Sequence, residues 1–396
     1  MAIPRLKSVS AGPLLVVQSM YLFYYMGGGG YNPFINLYYS RLGLNGVEIG
    51  SLVSLGVLVG VFAAFFWATL SDGLRIHNRV LSLALILSAL AVFLISRADS
   101  YAALLPLVAL SAFVANPIAS FLDSSTLELI KLHNSSYGAV RLWGSVGWSI
   151  STWLVGLLVE RSGIHWIFNA YILLMVVTFI LSFALPKRTQ VLRTSMWQGL
   201  RRLIRRDTVI FLVSIFMLSV SSSAAMSFFS IYLDHIGAKE GLIGLSWTFA
   251  SMSEVPFMFY SGRLIKRFGA RRLLGLAFVL YAVRWFLYSL IQAPVLVLVI
   301  QLLGGFSFAL FLTTGVTYLN QRTPAGLTTT AQSLYNTVVF GLAGIAGSLL
   351  GGYLFDLVGM QALFQIAAVL ALVAFGAFLL IPRSPGELGA ALQPEG

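Results

Sequence analysis

The sequence contains no cysteine and little charge, and each absence excludes a class of protein. Without cysteine the chain forms no disulfide and carries out no thiol chemistry. Only 10% of the 396 residues are charged, whereas a soluble globular domain carries about 25%. This leaves too little polar surface to cover a water-soluble particle of this size. The P-loop pattern G-x-x-x-x-G-K-[ST] is also missing, so the chain does not drive work with its own ATP hydrolysis.

Histidine is scarce and lies outside the long apolar stretches. His77, His133, His165 and His235 are the only four, so we expect neither a metal site nor a histidine proton relay within a membrane. The glycine run 27–30 is not a dinucleotide fingerprint, because no soluble βαβ unit surrounds it. The sequence therefore predicts a protein without a cofactor.

What the chain has in quantity is hydrophobic residues, which make up 58% of it. Several apolar runs reach the roughly 20 residues that a membrane helix needs, whereas a β-barrel would show ~10-residue alternating segments. The first run is too long for the apolar core of a signal peptide, so we interpret it as a retained span. We predict twelve membrane helices, over residues 13–39, 46–70, 79–97, 101–130, 137–159, 165–185, 208–233, 240–262, 272–291, 294–320, 327–353 and 360–381.

The positions of the basic residues support this count. If both termini are cytoplasmic, 19 of the 25 Lys and Arg fall in inner segments, and the outer loops hold only Arg41, Arg97, Arg161 and Lys239. This bias follows the positive-inside rule and explains the net charge of +12 without a nucleic-acid partner. We therefore expect a multi-pass protein of the inner or plasma membrane, with membrane lipids as its surroundings.

A long basic connection divides the chain in two. We predict a first six-helix bundle over 1–185, a cytoplasmic linker over 186–207 and a second six-helix bundle over 208–396. The linker suits an anionic inner leaflet, which attracts such segments by ~1 kcal/mol per charge. A similar pattern of small, polar and basic residues occurs at 68–79 and 262–272, each between the second and third helices of its half. Parallel six-helix repeats of this kind are a recurrent transporter plan.

Four charged side chains lie well inside the predicted spans, away from the span ends: Asp123, Arg141, Glu254 and Arg284. Such a charge costs at least ~2.5 kcal/mol, so it usually faces a protein interior or a water-filled cavity. Asp123 and Arg141 each lie ~13 Å along their helices from the turn that joins them, and the other pair is arranged similarly about Gly269. The alternative is a structural salt bridge, although buried pairs add little net stability. A polar pathway, and hence a transporter, is the first hypothesis.

Further residues suit a solute-binding surface. Trp148 shares a helix face with Arg141. An indole that can stack on a ring would therefore lie beside an arginine that can donate hydrogen bonds to hydroxyls or a carboxylate. Tyr31 and Asn32 follow the glycine run 27–30 in the first helix, and they are candidates to line the same cavity. For Trp148 and for the tyrosines, plain packing is the alternative.

Several motifs resemble those of the major facilitator superfamily. The loop S-D-G-L-R-I-H-N-R at 71–79 resembles its helix 2–3 motif, with Ala68 in place of the usual glycine. The segment Y-G-A-V-R-L-W-G-S-V-G-W at 137–148 is similar to the branch that holds lactose permease, the phenylpropionate transporters and the nucleoside–proton symporters, as are Y-N-P-F at 31–34 and S-E-V-P at 253–256. The resemblance covers nearly the whole chain and implies an all-α membrane fold of two pseudo-symmetric six-helix bundles around a central cavity.

The resemblance also implies roles for individual residues. Arg141 matches the substrate-binding arginine of the lactose permease pattern, and Asp123 matches its acidic partner one helix earlier. Trp148 matches the tryptophan that stacks on sugar, and Arg284 matches the helix-nine arginine of the coupling site.

Two departures from that pattern concern the coupling site. Glu254 lies about one turn from the position of the permease acid, which Ser251 occupies. Gly304 and Ser307 stand where the permease has its coupling histidine and glutamate. Proton coupling would therefore fall to Asp123 or Glu254, with Arg284 as the neighbouring base, or else transport is not coupled to protons.

The resemblance implies a secondary transporter that takes up a small organic solute with protons by alternating access. The oligomeric state is open, with a monomer as the default. A sugar, a nucleoside and an aromatic acid all remain open. Proton-driven drug efflux is the rival, but 150–159 lacks the glycine-proline motif typical of such pumps. A membrane enzyme or receptor is disfavoured because no catalytic cluster is evident. We expect five residues to gate the inner face: Asp72, Arg75, Gly262, Arg263 and Lys266.

Overall fold

The predicted all-helical architecture is confirmed. The computed structural model describes residues 12–74, 77–133, 136–185, 206–324 and 326–382. Every regular element in these ranges is a helix, and each predicted span corresponds to a helical segment. The linker 186–207 lies almost entirely outside the described residues, as do both chain ends.

The first half of the chain contains six helices. Their bounds are α1 Gly12–Arg41, α2 Gly46–Leu74, α3 His77–Ile95, α4 Tyr101–His133, α5 Tyr137–Ser162 and α6 Trp166–Ser182.

In the second half several spans are built from more than one element. The bounds are α7 Arg206–Ser227, α8 Phe229–His235, α9 Glu240–Phe268, α10 Ala270–Leu290, α11 Leu296–Arg322, α12 Thr328–Asn336, a π-helix Thr337–Leu342 and α13 Ala343–Leu379. The seventh predicted span comprises α7 and α8. The last two spans meet inside α13, where Gly359 (φ 79°, ψ 177°) interrupts the helix.

Eight of the described segments are long and apolar enough to cross a membrane by length and composition. The last of these, Thr328–Leu379, contains two predicted spans. The helices α1 and α9 are not among the eight, because glycine, serine and other polar residues lower their hydropathy. A helix that contributes polar groups to a pathway need not be uniformly apolar.

The structure shortens two predicted loops: 71–79, where α2 continues to Leu74 and α3 begins at His77, and 262–272. The segment 262–272 was expected to be a loop, but α9 continues through Lys266 and Arg267 to Phe268. The turn is reduced to Gly269, whose φ of 81° suits only glycine, and α10 begins at Ala270. Basic side chains in a last helical turn interact favourably with the helix dipole, so the charges that indicated a loop are compatible with helix.

The chain forms two compact units. Unit 1 contains the described parts of Met1–Leu44 and Leu55–Arg193 together with Ala238–Thr248. Unit 2 contains Asn45–Ser54 and the described parts of Thr194–Gly237 and Phe249–Gly396. The start of α2 therefore groups with unit 2, and the start of α9 groups with unit 1.

In unit 1 the glycine run of α1 serves close packing. A Cβ on Gly29 would lie 2.7 Å from the carbonyl oxygen of Trp148, and one on Gly30 would lie 2.8 Å from Val155 Cγ2. Real Cβ contacts of this length essentially never occur, so glycine is needed for α1 to approach α5 this closely. The helix is continuous through Pro33, so the run does not break it.

A second close crossing in unit 1 joins the start of α9 to α5. Gly244 packs on the carbonyl of Thr152, and the Thr248 hydroxyl donates to the carbonyl of Ser149 at 2.8 Å. At the helix end, the Glu160 carboxylate accepts the amide hydrogen of Gly241 at 3.1 Å.

Unit 2 contains a matching crossing between the start of α2 and α13. Gly50 packs on the carbonyl of Ser348, and the Ser54 hydroxyl donates to the carbonyl of Ile345 at 2.8 Å. Here Asp356 accepts the amide hydrogen of Gly46 at 2.7 Å. The two crossings therefore share a glycine, a hydroxyl donor and an acid at equivalent positions.

Candidate functional site

The carboxylate of Asp123, on α4, is held by tyrosine. The Tyr21 hydroxyl, from α1, donates to Asp123 Oδ1 in a short hydrogen bond. Thr126 Oγ1 lies 3.3 Å from the same hydroxyl, and Tyr137 lies within hydrogen-bonding reach of both Asp123 and Tyr21. Tyr21 and Thr126 are buried while Asp123 is half-buried, so the acid lies at the edge of the packed interior.

Arg141, on α5, rests against aromatic rings of α1. Its guanidinium carbon lies 4.1 Å from the centroid of the Tyr25 ring and 5.8 Å from that of Tyr21. The two rings are nearly parallel, with centroids 6.0 Å apart. A Cβ on Gly144 would lie 2.6 Å from Arg141 Nη1 and 2.8 Å from Tyr25 Cδ2. Glycine at 144 therefore creates the space in which the arginine stacks.

Asp123 and Arg141 belong to one cluster, but they do not form the direct ion pair considered as an alternative. Among the ion pairs of the described residues, none joins these two side chains. The reason is geometric: Tyr21 and Tyr25 lie one turn apart on α1, which packs against both α4 and α5. Tyr21 binds the acid, and Tyr25 makes the closer contact with the base, so a salt bridge does not pin α4 to α5.

Trp148 continues the same surface toward the other end of α5. A Cβ on Gly28 would lie 3.2 Å from Trp148 Cζ3 and 3.4 Å from Asn32 Nδ2, so the indole and the amide flank this glycine. Arg141 and Trp148 are two turns apart, about 10.5 Å along the helix. We call this surface the polar strip. It comprises Tyr25, Asn32, Asp123, Arg141 and Trp148, and the buried Tyr21 lies beneath it.

Tyr31 lies elsewhere, although the sequence suggested it beside Asn32. Its side chain is only 9% exposed and packs against Phe168 and Tyr171 of α6, with ring centroids 6.0 and 5.1 Å away. Consecutive residues of an α-helix point about 100° apart, so Asn32 can flank the strip while Tyr31 packs inside unit 1. Packing is thus the observed environment of Tyr31.

In unit 2 the buried cation Arg284 has several neutral neighbours. The side chain is 5% exposed. Its Nη2 donates to Gln301 Oε1 at 2.9 Å, and its Nε donates to the Tyr288 hydroxyl at 3.3 Å. The guanidinium carbon lies 4.6 Å from the Trp285 ring centroid. Hydrogen bonds and a cation–π contact therefore stabilise the charge from two sides.

The surroundings of Arg284 explain one departure from the lactose permease pattern. A Cβ on Gly304 would lie 2.8 Å from both Arg284 Cζ and Gln301 Oε1. The arginine thus fills the space that a histidine at 304 would need. Ser307 is fully buried and donates to the carbonyl of Gly304 at 3.0 Å.

Glu254, on α9, belongs to the same region of unit 2. It is half-buried, and Tyr281 lies within electrostatic reach of both Glu254 and Arg284. The arrangement parallels unit 1, where a tyrosine also lies near both an acid and an arginine.

Comparison with known proteins identifies the family. The family model described as "MFS_1 like family" matches residues 14–366. The chain belongs to the MFS_1 like family. It is 30% identical over 374 residues to the maltose permease of Geobacillus stearothermophilus, covering 93% of this chain and 95% of the permease. It is 25% identical over 370 residues to the probable 3-phenylpropionic acid transporter of Escherichia coli, covering 92% and 96% of the two chains.

The fold of this MFS_1 like protein is similar to solved transporter structures. The crystal structure of the nucleoside transporter NupG superposes with a TM-score of 0.85 at 16% identity, covering 93% of this chain and 98% of that one. The protein is therefore a multi-pass membrane transporter of the major facilitator superfamily rather than an enzyme.

The predicted gating residues of this MFS_1 like transporter are only partly described. Gly262, Arg263 and Lys266 are exposed on the last turns of α9. Asp72 lies in the last turn of α2, with its side chain outside the described part of the structure, and Arg75 lies outside it altogether.

Sequence reasoning missed two arginines that bind the C-terminal end of α13. Arg271 donates to the carbonyl oxygens of Ile381 and Pro382, and Arg322 donates to that of Pro382 at 2.9 Å. Arg322 also lies 3.7 Å from Asp207. These donors bind carbonyl groups of the residues that directly follow the helix. The basic cluster 263–272 is evident in the sequence, but nothing there indicates that Arg271 binds a carbonyl group 110 residues later.

Proposed function

We propose that this transporter takes up a small organic solute by proton-coupled symport, and that the solute binds along the polar strip. The observation that carries the proposal is the juxtaposition of Arg141, which supplies hydrogen-bond donors, with the Trp148 indole two turns away. The names of similar proteins mention maltose, 3-phenylpropionic acid and nucleosides. Such solutes combine a ring with oxygen acceptors, and the strip offers a partner for each.

Asp123 and Glu254 are the proposed proton carriers. They are acids well inside the predicted spans, each with a tyrosine and an arginine nearby. Protonation of Asp123 would remove a negative charge beside Arg141 and change the competition for that guanidinium. Arg284 would tune Glu254 in the same way. Solute binding and proton binding would then be linked, as symport requires.

The proposed setting is the bacterial inner membrane or another plasma membrane, with both termini cytoplasmic and a monomer as the working unit. Access would alternate between the two sides of the membrane. Asp72, Arg75 and the exposed residues Gly262, Arg263 and Lys266 would gate the cytoplasmic side.

The test begins with thermal shifts of the purified protein against sugars, nucleosides and aryl acids. Any hit is then followed in proteoliposomes with a pH-sensitive dye. Symport predicts that the solute and protons move in the same direction and that a proton gradient drives accumulation. Opposite movement would favour efflux, and solute flux without proton flux would refute proton coupling.

A further inference from the structure

A tyrosine hydroxyl, rather than the arginine, binds the Asp123 carboxylate in this structure. The Tyr21 hydroxyl donates directly to Oδ1, and Tyr137 approaches the same acid from the first turn of α5. Tyr21 is buried without measurable exposure, so its hydroxyl is fixed by packing. The acid is therefore held on the α1 side of the cluster.

This arrangement leaves the donors of Arg141 available. An arginine paired with a carboxylate commonly uses two parallel N–H groups in that contact. Here Arg141 instead lies over the face of Tyr25, with the guanidinium carbon 4.1 Å from the ring centroid, and one of its N–H groups lies within hydrogen-bonding reach of the Tyr25 oxygen. A ring face holds the cation without occupying most of its five N–H donors. Among the described residues, most of the guanidinium donors therefore remain free to bind a ligand.

We propose that Tyr21 and Tyr137 are positioning residues that keep Asp123 away from Arg141, so that Arg141 can bind two adjacent acceptor oxygens of the solute. A carboxylate and a vicinal diol both provide such a pair. This inference rests on the proposed function, because it assumes that the solute binds at the polar strip. It assigns the two hydroxyls a part in affinity although neither touches the solute.

Removing both hydroxyls tests the idea. In the variant Y21F/Y137F the carboxylate loses its tyrosine donors, and Arg141 is the strong donor that remains nearby in the described part of the chain. We expect the arginine to leave Tyr25 and pair with Asp123. A cryo-EM structure of the variant without ligand reads this out directly. Arg141 still stacked on Tyr25 would overturn the proposal, whether or not a solute is known.

Binding provides the second measurement, with 3-phenylpropionate as the carboxylate probe and maltose as the diol probe. The expected result is a loss of about tenfold in affinity for the probe that the unaltered protein binds, because a charge-assisted hydrogen bond to the solute is lost. Y38F is the matched control, since Tyr38 is buried on the same helix and packs against α6 instead. If the unaltered protein binds neither probe, the proposed substrate classes fail, while the ligand-free structure still decides the inference.

A double-mutant cycle separates positioning from a merely structural role. With asparagine at 123 there is no carboxylate to capture Arg141, so Y21F should cost little further affinity in the Asp123→Asn background. The combined variant should also bind more tightly than Y21F alone. Two results would overturn the proposal. One is that the losses of affinity in the cycle are additive, and the other is that Y21F loses enough thermal stability to account for its weaker binding.

Discussion

Alanine in place of Gly144 would test whether Arg141 acts from its stacked position. The new Cβ would lie 2.6 Å from Arg141 Nη1 and 2.8 Å from Tyr25 Cδ2, whereas carbon atoms normally pack at about 3.5–4.0 Å. The guanidinium is the end of a flexible side chain, so it can move at little cost to the fold. We therefore expect Gly144→Ala to displace the arginine from the ring by about 1 Å.

The expected magnitude follows from the contact that is lost. A cation–π contact is worth about 1 kcal/mol at an exposed site and about 2 kcal/mol when desolvated. Its loss would weaken solute binding by roughly 5- to 30-fold. Stability should change little, because alanine is favoured over glycine in a helix by up to ~1 kcal/mol, which offsets the steric cost.

The assay compares solute affinity and thermal unfolding for Gly144→Ala and Gly138→Ala. Gly138 lies on the same helix, and a Cβ there would meet nothing within 4 Å. The control should therefore bind like the unaltered protein. Equal affinity for both variants would show that binding does not depend on the stacked arginine and would refute the reasoning.

Three further substitutions probe other parts of the account. Asp123→Asn should abolish gradient-driven accumulation in proteoliposomes while solute exchange stays measurable; normal accumulation would remove Asp123 from coupling. Trp148→Ala should weaken binding of a ring-bearing solute several-fold, because aromatic pairs contribute ~0.5–1.5 kcal/mol, and equal affinity would exclude stacking. Gly244→Ala should lower the melting temperature, because overpacking costs ~1–3 kcal/mol. Gly262→Ala on the same helix is the control and should leave the melting temperature unchanged, because a Cβ there would meet nothing within 4 Å. Equal melting temperatures of the two variants would contradict the close crossing.

The helical spans were predictable from the sequence for a general physical reason. Within a bilayer every backbone polar group needs an internal partner, so long apolar runs with basic flanks form helices. The helix ends were less predictable. Basic residues indicate the inner side of the membrane, but they do not end a helix, which is why α9 continues past Lys266 to Gly269.

The candidate site was predictable in part. Equal distances from a turn placed Asp123 and Arg141 at similar depth, and the structure brings both to one cluster. The intervening role of α1 was not predictable, because the i, i+4 pair Tyr21 and Tyr25 is one of many aromatic pairs in a chain with 16 tyrosines. Which of them contact the acid depends on how α1 is rotated against its neighbours.

The same limit applies to Arg284. Its hydrogen-bond partner Gln301 lies on the next helix along the chain, with nothing in the local sequence to connect the two. Gly304 stands where the lactose permease has a histidine, and only the structure shows that the Arg284 guanidinium fills the space beside this glycine.

The central claim, that a solute binds along the polar strip, is tested most directly by protection of a single thiol. The natural sequence has no cysteine, so Asn32→Cys introduces a unique one beside Trp148. Its maleimide labelling should slow several-fold when the solute is added, while Ser162→Cys, exposed about 21 Å along α5 from Trp148, should label at an unchanged rate. Labelling of Asn32→Cys that is unaffected by a saturating, transported solute would contradict the account.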